Sequence, residues 1–96
     1  MKHDIIVKLT PEVKGDNFPR FLTNVVMLFS NLHQIPGVHE IHYFPNVISR
    51  DNRYDLMIEI DMEKEALEAY DKSVWHQQWK EQYGKYIEKK AIIDHI

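Results

Sequence analysis

The strongest constraint on the fold is the order in which the spacing of apolar residues changes along the chain. Apolar and polar residues alternate, as they do in β-strands, at about 5–9, 38–44 and 54–61, and a last strand is predicted at about 87–95 through Ala91, Ile92 and Ile93. Helical spacing covers about 18–32 and then 63–84, where it is divided near Ser73. The order β, α, β, β, α, β predicts an α+β fold of the ferredoxin-like kind, with one antiparallel sheet and helices on one of its faces.

The size and composition of the chain limit it to a single globular unit. Its 96 residues and mass of 11.5 kDa suffice for one compact core, so residues 1–96 are predicted to form one domain. Apolar residues make up 44% and charged residues 28%, which excludes a disordered or low-complexity chain. The net charge is -3 and the basic residues are scattered, so we expect no nucleic-acid partner.

The sequence contains no segment that resembles a membrane anchor or a secretory signal. No apolar run approaches the roughly 20 residues that span a bilayer. The short run Ile5-Ile6-Val7 lacks the length and the cleavage site of a signal peptide, so we expect a cytoplasmic protein without a membrane partner. The absence of cysteine excludes disulfides, thiolate nucleophiles and cysteine-ligated zinc.

Turn-forming residues separate the predicted elements. The segment Gly15-Asp16-Asn17 is expected to cap the first helix, whose first turn contains Pro19. In Ile35-Pro36-Gly37, proline fixes one backbone angle and glycine permits a positive φ at the next position. The polar stretch 46–53 predicts an exposed loop, and Ser73 is expected to cap the last helical piece, which ends at Gly84.

One apolar residue interrupts the polar side of each of two predicted strands. Ile6 lies in the first strand and Met57 in the third. A domain of this size buries only about 60–65% of the surface of its unfolded chain, so a sheet with one uncovered apolar face is marginal alone. Two such faces packed together would cover each other, and we therefore predict a homodimer.

Several segments together resemble the stress-responsive A/B barrel family, often called Dabb. The similarity follows the chain order over nearly its whole length, in His3-Asp4-Ile5-Ile6-Val7-Lys8-Leu9, Ile35-Pro36-Gly37-Val38, Tyr54-Asp55-Leu56, and Glu65-Ala66-Leu67-Glu68-Ala69-Tyr70 followed by His76. The resemblance implies a ferredoxin-like fold, a dimeric α/β barrel and a stress-related role. The family also includes a plant polyketide cyclase and many members without a known function.

The olivetolic acid cyclase branch of this family offers candidate catalytic residues. Its working pair is a tyrosine and a histidine six positions apart, a spacing that Tyr70 and His76 match, and His3 falls where that enzyme has another pocket histidine. The resemblance implies that His76 is a general base, that Tyr70 donates to an oxyanion and that His3 orients the substrate or base. No metal and no cofactor are implied. The family usually has His-Pro before the last histidine, whereas Val74 and Trp75 stand here, and Trp75 is expected to alter the helix junction or fill pocket volume.

Three functions remain open at this point. The first is binding of a small hydrophobic molecule in a pocket between sheet and helices. The second is a cofactor-independent lyase or cyclase, and the third is a structural assembly subunit. An enzyme would need a pocket of roughly 300 Å³ or more beside Tyr70 and His76, whereas a closed interior favours the assembly subunit. The expected lining residues come from the first and third strands and from the helices, namely Ile5, Val7, Phe21, Val25, Leu56, Ile58 and Trp79.

The remaining histidines carry weaker predictions. His3 and His95 are expected to lie side by side at neighbouring strand ends, as a solvated pair rather than a metal site. His39 and His42 are three residues apart on a strand, so they point to opposite faces. An oxygenase of the same fold is disfavoured because the centre of the first strand has no asparagine.

Overall fold

The computed structural model describes all residues, 1–96. Four strands and three α-helices occur in the predicted order: β1 Lys2–Leu9, α1 Phe18–Ser30, β2 Val38–Pro45, β3 Leu56–Met62, α2 Ala66–Lys72, α3 Val74–Gln78 and β4 Ile87–His95. A π-helical turn, Trp79–Tyr83, continues α3, and short 3₁₀ segments fill most of the remaining connections. None of the helices has the length and apolar character required to cross a membrane.

The strands form one antiparallel sheet in the order β2-β3-β1-β4. The two strands at its centre, β1 and β3, are not neighbours in sequence, which is the topology predicted for two interleaved βαβ-like halves. The predicted fold class, α+β with helices on one face, is confirmed. Because side chains alternate along a strand, each register pairing also assigns residues to one of the two faces of the sheet.

The face of the sheet that lies under the helices holds the core. Ile5, Val7 and Leu9 of β1 point toward the helices, and α1 meets them with its inner stripe. The rings of Phe29 and Trp79 meet edge to face at 5.1 Å, which joins α1 to the last helical segment. Seventeen buried apolar residues form this single cluster, so the helical stripes recognised in the sequence serve packing.

The predicted turns are present, with differences at the helix ends. Gly37 has a φ of +94°, as expected, and a Cβ there would lie 3.1 Å from the Cβ of Ala66. The predicted segment Gly15-Asp16-Asn17 places Asn17 at the N-cap position of α1, but no side chain of it makes a capping hydrogen bond, and the Asn17 amide donates to the Glu12 carbonyl. The second helix begins at Ala66 rather than near residue 63. Gly84 ends the π-helical turn with a negative φ, so no left-handed glycine is needed there.

The opposite face of the sheet has no helix over it. The register places one apolar row across all four strands, formed by Phe44, Met57, Ile6 and Ala91. Phe44 is 47% exposed, and Ile93, in the adjacent row, is 52% exposed. We call this surface the open face. Its apolar character agrees with the expectation drawn from Ile6 and Met57.

Candidate functional site

Tyr70, His76 and His3, which are distant in sequence, form a row of three contacting rings. The centroid of the Tyr70 ring lies 4.8 Å from that of His76 and 5.3 Å from that of His3. Tyr70 comes from α2, His76 from α3 and His3 from the helix-facing side of β1. The structure therefore brings the three predicted site residues together.

Ser73 accounts for the position of two of these rings. Its extended backbone (φ -69°, ψ 152°) separates α2 from α3. The Ser73 Oγ accepts a hydrogen bond from the backbone N–H of His76 at 3.1 Å and donates one to the Tyr70 carbonyl at 2.7 Å. The predicted N-cap is confirmed, and the same hydroxyl links the end of the Tyr70 helix to the start of the His76 helix.

The hydrogen bonding of His76 leaves one ring nitrogen available as a base. Nδ1 lies 3.0 Å from the Asp71 carbonyl, and because a carbonyl only accepts, Nδ1 carries the proton. Nε2 makes no hydrogen bond within the chain and keeps its lone pair. Burial lowers the pKa of His76 below its ordinary value, so the ring is neutral near pH 7.

Tyr70 has the properties of a hydrogen-bond donor without a partner. The residue is 2% exposed, and burial raises its pKa far above the ordinary range, so the phenol keeps its proton. Its hydroxyl makes no hydrogen bond to any group in the chain. The hydroxyl oxygen itself is not fully buried, so it can donate to water or to a ligand.

His3 has a different partner from the one expected. Its Nδ1 lies 2.6 Å from an Asp94 carboxylate oxygen, which fixes the ring against Tyr70. The expectation that His3 and His95 lie side by side is wrong. In the register His3 is opposite Asp94 and Lys2 is opposite His95, so the two histidines point to opposite faces of the sheet.

The space beside Tyr70 and His76 is a closed apolar cleft. No part of this space is wide enough for a water molecule. It therefore lacks the roughly 300 Å³ expected of an enzyme pocket, and in this closed state it meets the criterion given above for an assembly subunit. Seven residues from α1, the 3₁₀ segment Asn31–Gln34, α2, α3 and the π-helical turn line it, namely Leu28, Phe29, Leu32, Tyr70, Trp75, His76 and Trp79.

Most of the residues expected to line a pocket lie elsewhere. Only Trp79 borders the cleft, and the other six pack in the core, namely Ile5, Val7, Phe21, Val25, Leu56 and Ile58. The cleft sits between helices and not directly on the sheet, because large core side chains fill the space above the strands. Leu28 and Leu32 belong to the apolar residues at helical spacing over 18–32. That spacing does not distinguish residues that line the cleft from residues of the core. Trp75 does occupy part of the cleft, as the sequence predicted.

No family model and no curated protein matches the chain, but solved structures share its fold. A Dabb family protein with a ferredoxin-like fold from Mesorhizobium loti has a TM-score of 0.76 at 18% identity, over 99% of this chain and 93% of that one. A dimeric ferredoxin-like protein of unknown function from Bacteroides fragilis has a TM-score of 0.76 at 14% identity, over 98% and 92%. Hydroxynitrile lyase from Passiflora edulis has a TM-score of 0.75 at 12% identity, over 99% and 90%. The resemblance to Dabb proteins is thus confirmed at the level of the fold.

Proposed function

We propose that this protein is a homodimeric member of the Dabb family that binds a small apolar molecule in the cleft beside Tyr70 and His76. One observation carries the proposal. Two polar atoms at an apolar cleft, the Tyr70 hydroxyl and the His76 Nε2, have no partner in the chain. A donor and an acceptor left unpaired among apolar side chains suit a ligand with an apolar body and one polar group.

The chemistry of the cleft defines the class of ligand. Six of the seven lining residues are hydrophobic, so a charged ligand would lose its hydration without compensation. The protonated Tyr70 hydroxyl can donate to a carbonyl oxygen, whereas neutral His76 can accept from an acidic C–H or O–H group beside it. A small ketone or aldehyde fits both requirements.

Entry of a ligand requires one wall of the closed cleft to move, and we assign this movement to Trp75. The residue is half-buried, next to exposed Val74, and lies in a helix of five residues. Trp79, in contrast, is buried against Phe29. A change of the Trp75 rotamer would open the cleft with loss of the contacts that Trp75 makes to the core cluster.

The homodimer forms, in this proposal, through the open face. The apolar row containing Ile6, Phe44 and Met57 has no cover within the chain, and the Bacteroides fragilis neighbour is dimeric. Light scattering coupled to size-exclusion chromatography should give twice 11.5 kDa. Ile6→Lys should give the monomer mass, while Met27→Lys, at an exposed position of α1, should not. A monomeric parent protein would refute this part of the proposal.

Ligand binding is tested with 2-heptanone, an apolar ketone without charge. Both tryptophans of the chain border the cleft, so their fluorescence and indole N–H resonances report its occupancy. We expect saturable changes in the parent protein and tighter binding in Trp75→Ala, which enlarges the cleft. Leu28→Trp should fill the cleft and abolish binding. If neither the parent protein nor Trp75→Ala binds 2-heptanone, the cleft is a packing feature, and the assembly subunit is the favoured function.

A second candidate function, acid–base catalysis of the lyase or cyclase type, is favoured by the neutral state and free Nε2 of His76. In the step we propose, Nε2 removes a proton from the carbon beside a carbonyl, and the C–H electron pair moves toward the oxygen. The Tyr70 hydroxyl donates to the resulting enolate oxygen. Hydroxynitrile lyase from Passiflora edulis shows that an enzyme can have this fold.

This second function has a direct assay that needs no natural substrate. In D₂O, proton removal followed by return of a deuteron exchanges the α-hydrogens of 2-heptanone, which NMR detects. His76→Ala should lower the protein-dependent rate by about 10²- to 10⁴-fold, and Tyr70→Phe should lower it as well. His33→Ala, at a helix end away from the cleft, is the matched control. An equal exchange rate in His76→Ala would exclude His76 as the base.

A further inference from the structure

Three ionisable side chains meet on the open face, remote from the Tyr70 cleft. We propose that Asp4, Glu59 and His95 form a binding site for a first-row divalent metal ion. The ligand atoms of the three residues, one from each, all lie within 4.8 Å of one another. The His95 Nε2 is 2.7 Å from an Asp4 carboxylate oxygen and 3.9 Å from a Glu59 carboxylate oxygen.

The sheet register fixes this arrangement on rigid elements. Asp4 of β1 is directly opposite Glu59 of β3, and His95 of β4 is its diagonal neighbour. Three adjacent strands thus contribute one ligand each from the same face. Such a set needs no loop rearrangement to converge on one ion.

The second observation is an unpartnered oxygen on the most buried member of the cluster. Asp4 is 6% exposed, and its Oδ1 is buried without any hydrogen-bond donor in the chain. A Glu59 carboxylate oxygen lies within 4.8 Å of one of Asp4, and two ionised carboxylates at this separation repel each other. A cation bound between them would remove that repulsion.

No lysine or arginine side chain lies close enough to Asp4 and Glu59 to neutralise both carboxylates. Lys2, which influences Glu59 by its charge, forms no ion pair within 4.0 Å with either carboxylate. His95 contacts one oxygen of Asp4 and leaves Oδ1 free.

The donor set indicates the class of metal. Two carboxylates and one imidazole carry a charge of about -2 when deprotonated, which one divalent ion neutralises. An imidazole ligand favours Zn²⁺ or Fe²⁺ over Mg²⁺ and Ca²⁺, which prefer oxygen alone. Three ligands from one face leave further coordination positions to water or to a second copy of the chain. The sequence had indicated no metal, because these residues share no spacing motif.

The test is calorimetric titration of ZnCl₂ into protein freed of metal by a chelator, with MgCl₂ as the comparison. We expect one Zn²⁺ per chain in the parent and at least about a tenfold loss of affinity in Asp4→Asn, Glu59→Gln and His95→Gln. His39→Gln is the matched control, because His39 and Glu63 form an exposed histidine–carboxylate pair elsewhere. It should bind Zn²⁺ like the parent.

Thermal unfolding gives a second readout and identifies any variant that fails to fold. Zn²⁺ should raise the Tm of the parent and of His39→Gln, but not that of Glu59→Gln, whose amide can donate to Asp4 and preserve the fold. Equal zinc affinity in the parent and Glu59→Gln would overturn the proposal. Loss of zinc binding in His39→Gln, or no binding by the parent below about 1 mM, would overturn it as well. Light scattering of the same samples shows whether dimerisation, a separate proposal, is affected.

Discussion

The substitution Ser73→Ala tests whether one hydroxyl holds the two helices of the candidate site together. It removes the acceptor of the His76 N–H at 3.1 Å and the donor to the Tyr70 carbonyl at 2.7 Å. Loss of an N-cap costs about 1 kcal/mol, within a range of about 0.5–2 kcal/mol. For a domain of this size, 1 kcal/mol corresponds to a fall in Tm of about 4–8 °C.

Urea denaturation and thermal unfolding measure this effect, and Ser30→Ala is the matched control. Ser30 also donates to a backbone carbonyl near a helix end, but it is exposed and accepts no hydrogen bond from a backbone N–H. Its replacement should change the free energy of unfolding by less than about 0.5 kcal/mol. Ser73→Ala should also weaken 2-heptanone binding, because His76 loses its fixed position. Equal stability of the two variants would refute the argument for Ser73.

Four further predictions follow from other parts of the structure. Glu59→Gln should stabilise the metal-free protein near pH 7 in urea denaturation, since the amide removes one of two neighbouring carboxylate charges and can donate to Asp4. Burial lowers the pKa of His76 below its value of 6.5, so the unfolded chain binds the proton more readily. The contribution of His76 to stability should therefore decline as the pH falls below about 6.5, whereas that of His95, whose pKa is raised by its hydrogen bond to Asp4, should increase. His76→Gln should lose less stability on acidification than the parent in pH-dependent unfolding. Phe29→Ala should cost about 3–5 kcal/mol in urea denaturation, because Phe29 is fully buried. Ile6→Lys should convert the dimer to a monomer in light scattering, since a charge in the apolar row would be buried without a partner.

Residue spacing was sufficient to predict most of the fold. The alternation of Leu56, Ile58 and Ile60 with polar residues predicted a strand. The structure has this strand, and its three apolar residues are buried. Ser73 was recognised because an N-cap has a local chemical signature. The segment Gly15-Asp16-Asn17 supplies no capping hydrogen bond, because the backbone of Asn17 is already helical (φ -87°, ψ -13°) rather than extended.

The candidate site was predictable only in part. The pairing of Tyr70 and His76 follows from one helix junction, and the structure brings the two rings together. The positions of His3 and His95 depend on the strand register, in which a shift of one residue moves a side chain to the other face. Cleft volume depends on how large side chains such as Trp75 pack, and spacing carries no information on that. The homodimer, the cytoplasmic location and the stress-related role stay predictions.

The central claim, that an unpartnered Tyr70 hydroxyl receives a ligand beside His76, has one direct test. Titrations of 2-heptanone into Trp75→Ala and into Trp75→Ala combined with Tyr70→Phe compare the same enlarged cleft with and without the hydroxyl. One net hydrogen bond should make binding to the double variant about 2- to 12-fold weaker. Equal affinity in the two variants would contradict the claim.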